Sequence, residues 1–266
     1  MDKHTLIERI NDLRHRGKKC STNCFYSFAQ SDKTEWEVFS SSETLIIINE
    51  ENMTFRVWFY STDPEDLSQA LKNCFPEKEL VAEITSKAPD TMKNELLNGG
   101  FYELARMQRF SNGKISDILS ESSIAAKYED NSIPKAAVLS DAEDIYDFMW
   151  GVFDTRISHL PDKKQLCEAV ENGEFTVYRN GSSRLTALLQ AAVSKKSFYI
   201  NQVINKDDSR IIHAIMISKL KEYIHSGGEY VYSWIEDTNI PSLKFHAKYG
   251  LKPDGLWNVV YVRSKK

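Results

Sequence analysis

The stretch that decides the fold is EDTNIPSLKFHAKYGL, residues 236–251. Its pattern predicts a short helix over 242–248 that ends at Gly250, because glycine commonly follows the last turn of a helix. A strand-like run, 230–235, precedes it, and a second such run, 256–262, follows it. The segment therefore predicts a strand, a helix, a glycine turn and a final strand in succession.

The same succession occurs a second time, 150 residues nearer the N-terminus. Strand, helix and glycine of the two copies coincide without gaps: 80–84 with 230–234, 90–97 with 240–247, and Gly100-Phe101 with Gly250-Leu251. The match is one of pattern rather than identity. It predicts that the chain contains two copies of one fold.

Hydrophobic periodicity and turn residues predict the remaining elements. In the first half these are helices at 4–16 and from Pro64, with strands at 36–39, 44–49, 53–60, 80–85 and 101–110. In the second half they are helices at 141–150, 162–171 and 211–224, with strands at 135–139, 175–179, 185–192 and 197–204. Ser140 is the expected N-cap of the first of these helices. Asn180-Gly181 predicts a hairpin between two of the strands.

A polar, serine-rich stretch separates the two halves. It predicts a linker over 113–133, a first domain over 1–112 and a second domain over 134–266. The chain is long enough for two small domains.

Composition excludes several classes of protein. The 266 residues are 41% hydrophobic and 27% charged, which is typical of a soluble globular protein. The net charge of −4 gives no indication of nucleic-acid or membrane partners. The charged N-terminus is unlike a signal peptide, so we expect a cytoplasmic location. Cys20 and Cys24 lack the second Cys or His pair of a zinc finger, and we expect reduced thiols and no metal.

The segment from Asn239 through Phe245 and His246 to Gly250-Leu251 resembles the C-terminal signature of the GNAT (GCN5-related N-acetyltransferase) superfamily. The order of elements over 134–266 agrees with that fold. The resemblance implies an α/β protein of two GNAT-like units, each a mixed, mostly antiparallel sheet flanked by helices, with a degenerate N-terminal unit. It also implies acyl-CoA-dependent N-acyl transfer, with acetyl-CoA or another acyl-CoA as co-substrate and a small amine as acceptor.

In that fold two neighbouring strands separate, and pantetheine pairs with the exposed backbone. The resemblance places cofactor contacts at Asn239, on the strand at Gln202, Val203 and Ile204, and in the loop and helix at Ser209, Arg210, Ile211, Ile212 and His213. It assigns the oxyanion donor to the backbone N–H of Val203 and the acid to His246, and Glu236 is a candidate base. A hydrogen-bonded His246 without a catalytic role remains equally open.

The loop after the strand departs from the family pattern. It is NKDDSRIIH, residues 205–213, and contains no glycine. Acidic residues beside a pyrophosphate are unfavourable, although Lys206 and Arg210 could bind phosphates through their side chains. Two alternatives therefore stay open: a noncatalytic pseudo-acetyltransferase that binds a ligand in its cleft, and an aminoacyl-tRNA-dependent transferase of the tandem-GNAT type.

Polar residues near the expected cleft are candidates for binding the acceptor. Asp154, Arg156 and His159 lie between two predicted helices, where loops carry function more often than cores do. Tyr199 and Asn201 share one face of the strand 197–204 by alternation.

Overall fold

The computed structural model describes residues 1–16, 18–117, 135–194 and 196–266. The chain forms two compact units. Unit 1 comprises residues 1–106, 155–159 and 256–266, and unit 2 comprises residues 107–154 and 160–255. Within the described residues no helix is both long and apolar enough to cross a membrane.

Unit 1 is a sheet with helices on both faces. Its elements are α1 (Lys3–His15), β1 (Ser21–Thr22), β2 (Glu37–Ser40), β3 (Thr44–Glu51), β4 (Thr54–Ser61), α2 (Pro64–Asn73), β5 (Leu80–Ser86), α3 (Lys93–Asn98), the start of β6 (Tyr102–Asn112) and most of β12 (Lys252–Arg263). The strand order β2-β3-β4-β5-β12 is antiparallel except for the parallel pair β4–β5.

Alternation along the strands of unit 1 divides its core between the two faces of the sheet. Ile46 and Phe59 point to the face covered by α2 and α3. Leu45 and Tyr60 point to the face covered by α1. Helix α2 begins where the sequence predicts, because Asp63 accepts a hydrogen bond from Asp66 N and Pro64 occupies the first turn.

Unit 2 contains the remaining strands and helices. Its elements are the end of β6, β7 (Lys135–Ala136), α4 (Ala142–Trp150), α5 (Lys163–Glu171), β8 (Phe175–Arg179), β9 (Leu185–Ser194), β10 (Ser197–Asn205), α6 (Ser209–His225), β11 (Tyr230–Glu236) and α7 (Ile240–Ala247). The order β6-β11-β10-β9-β8-β7 is antiparallel except for β10–β11. The mixed, mostly antiparallel fold class is confirmed in both units.

The last strand corrects the expected division of the chain. Residues 256–262 were expected to complete the second domain, but β12 pairs with β5 in unit 1, for example Val259 with Ile84. Arg263 contributes to the pairing of β12 with β5, because its guanidinium donates to the carbonyls of Cys74 (2.5 Å) and Phe75 (2.9 Å) at the end of α2.

The end of β6 takes the corresponding place in unit 2, where Phe110 lies opposite Ser233 of β11. In the repeated pattern that the sequence predicts, β6 and β12 occupy corresponding positions.

Three smaller expectations are also corrected. The strand expected over 135–139 ends at Ala136, because Asp141 accepts from Val138 N and closes a turn there. Ser140 lies within this turn, so Asp141 and not Ser140 is the N-cap of α4. The β8–β9 connection is longer than a two-residue Asn-Gly turn, and the positive φ of 61° falls on Ser183.

Most of the linker predicted over 113–133 lies outside the described residues. Its described part carries Ile115, which is fully buried in the core of unit 2.

Candidate active site

The separation of β10 from β11 creates a cleft in unit 2. The two strands pair in parallel from Ser197 opposite Tyr230 to Ile200 opposite Ser233, and the pairing stops there. At the last pair, Ser233 Oγ donates to Ile200 O over 3.0 Å. Beyond it the register of β10 against β9 shifts at Asn201, which marks a β-bulge. The backbone of β10 after the bulge therefore has one neighbouring strand instead of two.

The open edge of β10 can be assigned residue by residue. Lys206 N donates to Thr186 O on β9 over 2.8 Å. Because antiparallel pairs alternate between bonded and non-bonded residues, Gln202 and Ile204 also direct their backbone groups to β9. Val203 and Asn205 direct theirs to the cleft. Of the three predicted strand contacts Gln202, Val203 and Ile204, only Val203 presents its N–H to an incoming thioester.

The start of α6 is not an open phosphate cradle. Asp208 caps the helix by accepting from Arg210 N over 2.8 Å, and Ile211 N donates to Asp208 O over 3.0 Å. The Arg210 guanidinium lies 2.6 Å from the Asp208 carboxylate, and its hydrogen bond holds the pKa of that carboxyl below its usual range. Ser209 is exposed in the first turn. Asp208 therefore already engages Arg210 and the N–H of Ile211, and the cofactor contacts expected at these two residues stay predictions.

His213 and Ile212 lie inside the helix with buried side chains, so neither belongs to the loop as expected. His213 Nδ1 is 2.7 Å from the Tyr249 hydroxyl, and its ring stacks on Phe245 at 4.9 Å. Lys248 Nζ lies 3.0 Å from His213 Nε2. The His213 side chain thus joins α6 to α7 through Phe245 and Tyr249, and it is not directed to the loop before α6.

A cavity of about 440 Å³ adjoins the loop between β10 and α6. Its lining includes Lys206, whose Nζ lies 4.8 Å from the centre of the Phe148 ring, and Arg184. Arg179 also lines it and is paired with Asp141 and Asp144. Of the cations that line this cavity, Lys206 and Arg184 have no carboxylate partner among the described residues.

His246 is buried in α7, and its environment disfavours the expected imidazolium. Burial lowers the pKa of His246 to about 4, so the ring is neutral at physiological pH. Its Nδ1 lies 2.8 Å from Ser242 O, which can only accept, and therefore carries the proton. Nε2 is buried without a hydrogen-bond partner among the described residues. In this form the ring offers a lone pair, and we correct the proposed acid role to that of an acceptor.

Asn239 and Glu236 lie at the junction of β11 and α7. Asn239 Oδ1 accepts from Ser242 N over 3.1 Å and so caps α7. Asn239 N donates to Glu236 O over 3.0 Å, which fixes the turn. Glu236 is half-buried at the end of β11, opposite Met107 of β6. Glu236 therefore lies beyond Ser233, the last residue of β11 that pairs with β10.

Tyr199 and Asn201 lie on either side of the point of separation. Tyr199 stacks on Tyr232 of β11 at 4.8 Å within the paired segment. Asn201 Nδ2 donates to Gln190 Oε1 over 3.2 Å. The aromatic stack therefore lies in the segment where β10 and β11 remain paired, next to the closed end of the cleft.

The expected acceptor loop divides between the units. Asp154 belongs to unit 2, whereas Arg156 and His159 belong to unit 1. His159 Nδ1 lies 2.9 Å from Glu51 and its Nε2 2.9 Å from Glu83. His159 therefore occupies a charged cluster that the sequence analysis did not identify.

Unit 1 has an equivalent separation, between β4 and β5, but the chain itself fills it. These strands pair only at Phe55 and Arg56, and β1 then pairs with the freed edge of β4. Asn23 inserts its side chain between the strands. Its Nδ2 donates to Val57 O (3.0 Å) and Glu83 O (3.2 Å), and its Oδ1 accepts from Phe59 N (2.9 Å). Asn23 thus makes the backbone contacts that an extended ligand would make there.

Sequence reasoning missed the residues Asn23, Glu51, Arg56 and Glu83. A signal existed for two of them, since Arg56 and Glu83 are single charges within the apolar strands TFRVWFYS and LVAEITS. Lone charges at buried positions are rare unless they are paired. In the described chain, no group of three or more His, Cys, Asp or Glu side chains is placed to hold a metal ion. Burial raises the pKa of the thiols of Cys20 and Cys24, which are free.

Known proteins resemble this chain in structure but not in sequence. No family model matches the sequence, and no curated protein matches it. Among solved structures, a GCN5-related N-acetyltransferase from Sphaerobacter thermophilus is 11% identical, with a TM-score of 0.56 over 83% of this chain and 76% of that one. A tandem GNAT protein from the clavulanic acid biosynthesis pathway is 9% identical, with a TM-score of 0.54 over 98% and 88% of the two chains. A GCN5-related N-acetyltransferase from Kribbella flavida is 13% identical, with a TM-score of 0.53 over 100% and 96%. The strand order, the split parallel pair and these likenesses show that the chain has the fold of the GNAT N-acetyltransferases.

Proposed function

We propose that unit 2 transfers an acyl group from acyl-CoA to a small amine, and that the acyl group is acetyl. The observation that carries the proposal is the open edge of β10 after the bulge at Asn201, with the Val203 N–H directed into the cleft. Bound acyl-CoA would supply the activated acyl group. Val203 N–H would bind the thioester oxygen, and a backbone donor of this kind is worth about 100- to 1000-fold in rate.

The remaining residues have supporting roles in this proposal. Asn239 positions α7 beside the cleft, and Glu236 would take a proton from the amine directly or through water. His246, neutral and protonated on Nδ1, would accept a hydrogen bond at Nε2 once a donor enters. Lys206 and Arg184 would compensate for the absence of glycines by pairing with phosphates through their side chains.

A pair of variants tests the role of Val203. Val203→Pro removes the N–H without breaking the β9 ladder, since this N–H points to the cleft, whereas Val203→Ala keeps it. Acetyl transfer to phenethylamine and spermidine, followed as release of free CoA thiol, should fall about 100-fold or more in the proline variant and only a few-fold in the alanine variant. Circular dichroism checks that both variants fold. Equal rates in the two variants would exclude Val203 as the donor.

A noncatalytic ligand-binding role is the second candidate. It is favoured by Asp208, whose carboxylate already caps α6 and pairs with Arg210. Calorimetry with acetyl-CoA distinguishes the two functions. Neither heat of binding nor a shift in melting temperature at about 1 mM acetyl-CoA would refute acyl transfer, because a ligand at 100 times its Kd stabilises by about 2.7 kcal/mol.

A further inference from the structure

Unit 1 contains a cavity of about 380 Å³ on the side of its sheet that faces α1 and residues 23–28. Its lining combines aromatic rings with a charged cluster, of which Arg56 is buried. The rings are Phe25, Tyr26 and Trp58, and the charged residues are Glu51, Glu83, Arg56 and His159. No role in the acyl transfer proposed above involves this cavity.

Both cations of the cluster are fully engaged. Arg56 is buried, and its Nε lies 2.8 Å from Glu51 while its Nη1 pairs with Glu83. Its Nη2 donates to Thr155 O over 3.0 Å. Both ring nitrogens of His159 contact carboxylates, as described above. An anionic ligand would therefore have to break an existing ion pair to reach either cation.

The carboxylates, in contrast, retain capacity to accept hydrogen bonds. Glu83 Oε2 accepts from Asn258 Nδ2 over 2.9 Å, and Glu51 Oε1 contacts His159 Nδ1 at 3.0 Å. Each carboxylate oxygen has two lone pairs, so each of these two oxygens can accept one more donor. Burial raises the pKa of both carboxyls, but contacts with His159 and Arg56 outweigh it and lower the net pKa, which keeps them ionised.

The aromatic wall suits an apolar body attached to a cation. Tyr26 stacks on Trp58 at 5.0 Å with an interplanar angle of 17°. Phe25 is 79% exposed, which is unusual for a phenylalanine that packs only for stability. Aromatic faces attract both apolar groups and organic cations.

His159 occupies the position between the carboxylates and solvent. Its side chain is 52% exposed, whereas that of Glu83 is 19% exposed. We propose that this cavity binds a small organic amine with an aromatic body, whose ammonium replaces the His159 imidazolium on Glu51 and Glu83. The exchange preserves charge balance, because one cation replaces another opposite the same two carboxylates. The aromatic body then packs on Phe25 and the Tyr26–Trp58 stack.

Three matched probes test the chemistry of the ligand on the full-length protein. Phenethylamine carries the ammonium, phenethyl alcohol is its neutral analogue, and 3-phenylpropionate is its anionic analogue. Calorimetry near neutral pH should show phenethylamine binding at least about tenfold more tightly than either analogue, a difference of about 1.4 kcal/mol. Equal affinities of the three probes, or no binding of phenethylamine at about 10 mM, would overturn the proposal.

Variants test the site. His159→Asn removes the competing cation and should strengthen phenethylamine binding several-fold, whereas Glu51→Gln should weaken it about tenfold. His4→Asn is the control, because His4 is 83% exposed on α1 and its partner Glu8 does not line the cavity. Unchanged affinity in both His159→Asn and Glu51→Gln would refute the assignment. Phenethylamine is also offered to unit 2 as an acceptor, so only a dependence of its affinity on Glu51 and His159 assigns binding to this cavity. Val203→Pro should leave that affinity unchanged, which separates this proposal from the function proposed for unit 2.

Discussion

The ion pairs of His159 should make the stability of the protein depend on pH. Burial of the ring opposes protonation, but hydrogen bonds to Glu51 and Glu83 outweigh it and raise the pKa of His159 to about 9. An unfolded chain has a histidine pKa of about 6.5. The folded protein therefore holds this proton more tightly, and the stabilisation is complete below about pH 6.5 and is lost as the pH rises through 9.

The magnitude follows from the two pKa values and from exposure. Between 6.5 and about 9 the shift would correspond to about 3 kcal/mol for a ring shielded from water. Because the side chain is 52% exposed, solvent screening reduces the expected contribution to about 1 kcal/mol. The groups that face the ring are Glu51, Glu83 and the Arg56 guanidinium, and the last of these opposes protonation.

Urea denaturation of the wild type and of His159→Asn measures this contribution. Near pH 6 the variant should be less stable by about 1 kcal/mol, and near pH 10.5 the two proteins should be equal within error. Titrating groups that do not contact His159 cancel in the difference, whereas Glu51 and Glu83 lose the contact that lowers their pKa and belong to the same effect. His4→Asn should show no such pH dependence, since its partner Glu8 is 67% exposed. A difference that is the same at both pH values, or larger at high pH, would refute the reasoning.

Three further substitutions have specific expected outcomes. Asn23→Ala should destabilise the protein by about 2–4 kcal/mol in thermal or urea unfolding, because it leaves Phe59 N and two carbonyls in the β4–β5 gap without a partner. A loss of less than about 1 kcal/mol would contradict the role of Asn23 in bridging the two strands. Gly228→Ala should cost about 1–3 kcal/mol, because the added Cβ would lie 2.1 Å from the Tyr223 ring, and an unchanged melting temperature would contradict this. Asp208→Asn should increase the affinity for CoA by roughly two- to fivefold in calorimetry, since a negative charge at the start of α6 repels phosphates, and a decrease would contradict it.

Local sequence patterns predicted the secondary structure well because they act over short distances. The helices at α2, α6 and α7 and the strands of both sheets lie within a few residues of their expected positions. Capping residues such as Asp63 and Asn239 fix helix starts from adjacent atoms alone. The GNAT signature over 236–251 similarly predicted the local order of strand, helix and glycine.

The candidate site was less predictable because its chemistry depends on burial and on alternation. The position of Val203 on the cleft follows from its strand, but the exclusion of Gln202 and Ile204 requires the β9 register. His246 aligns with an acid by sequence, yet burial and the carbonyl of Ser242 determine that its ring is neutral. The cluster around Arg56 joins residues more than 100 positions apart, such as Glu51 and His159.

The sequence by itself predicted two copies of one strand–helix–strand pattern, and its resemblance to the GNAT superfamily implied a mixed sheet for each copy. Only the tertiary structure decided which sheet receives each final strand, because β6 and β12 carry equivalent patterns and local propensity cannot distinguish two equivalent edges. It also decided which of the two strand separations stays open. Asn23 fills the one in unit 1 with hydrogen bonds to both strands, a contact across 34 to 60 residues that no local pattern encodes.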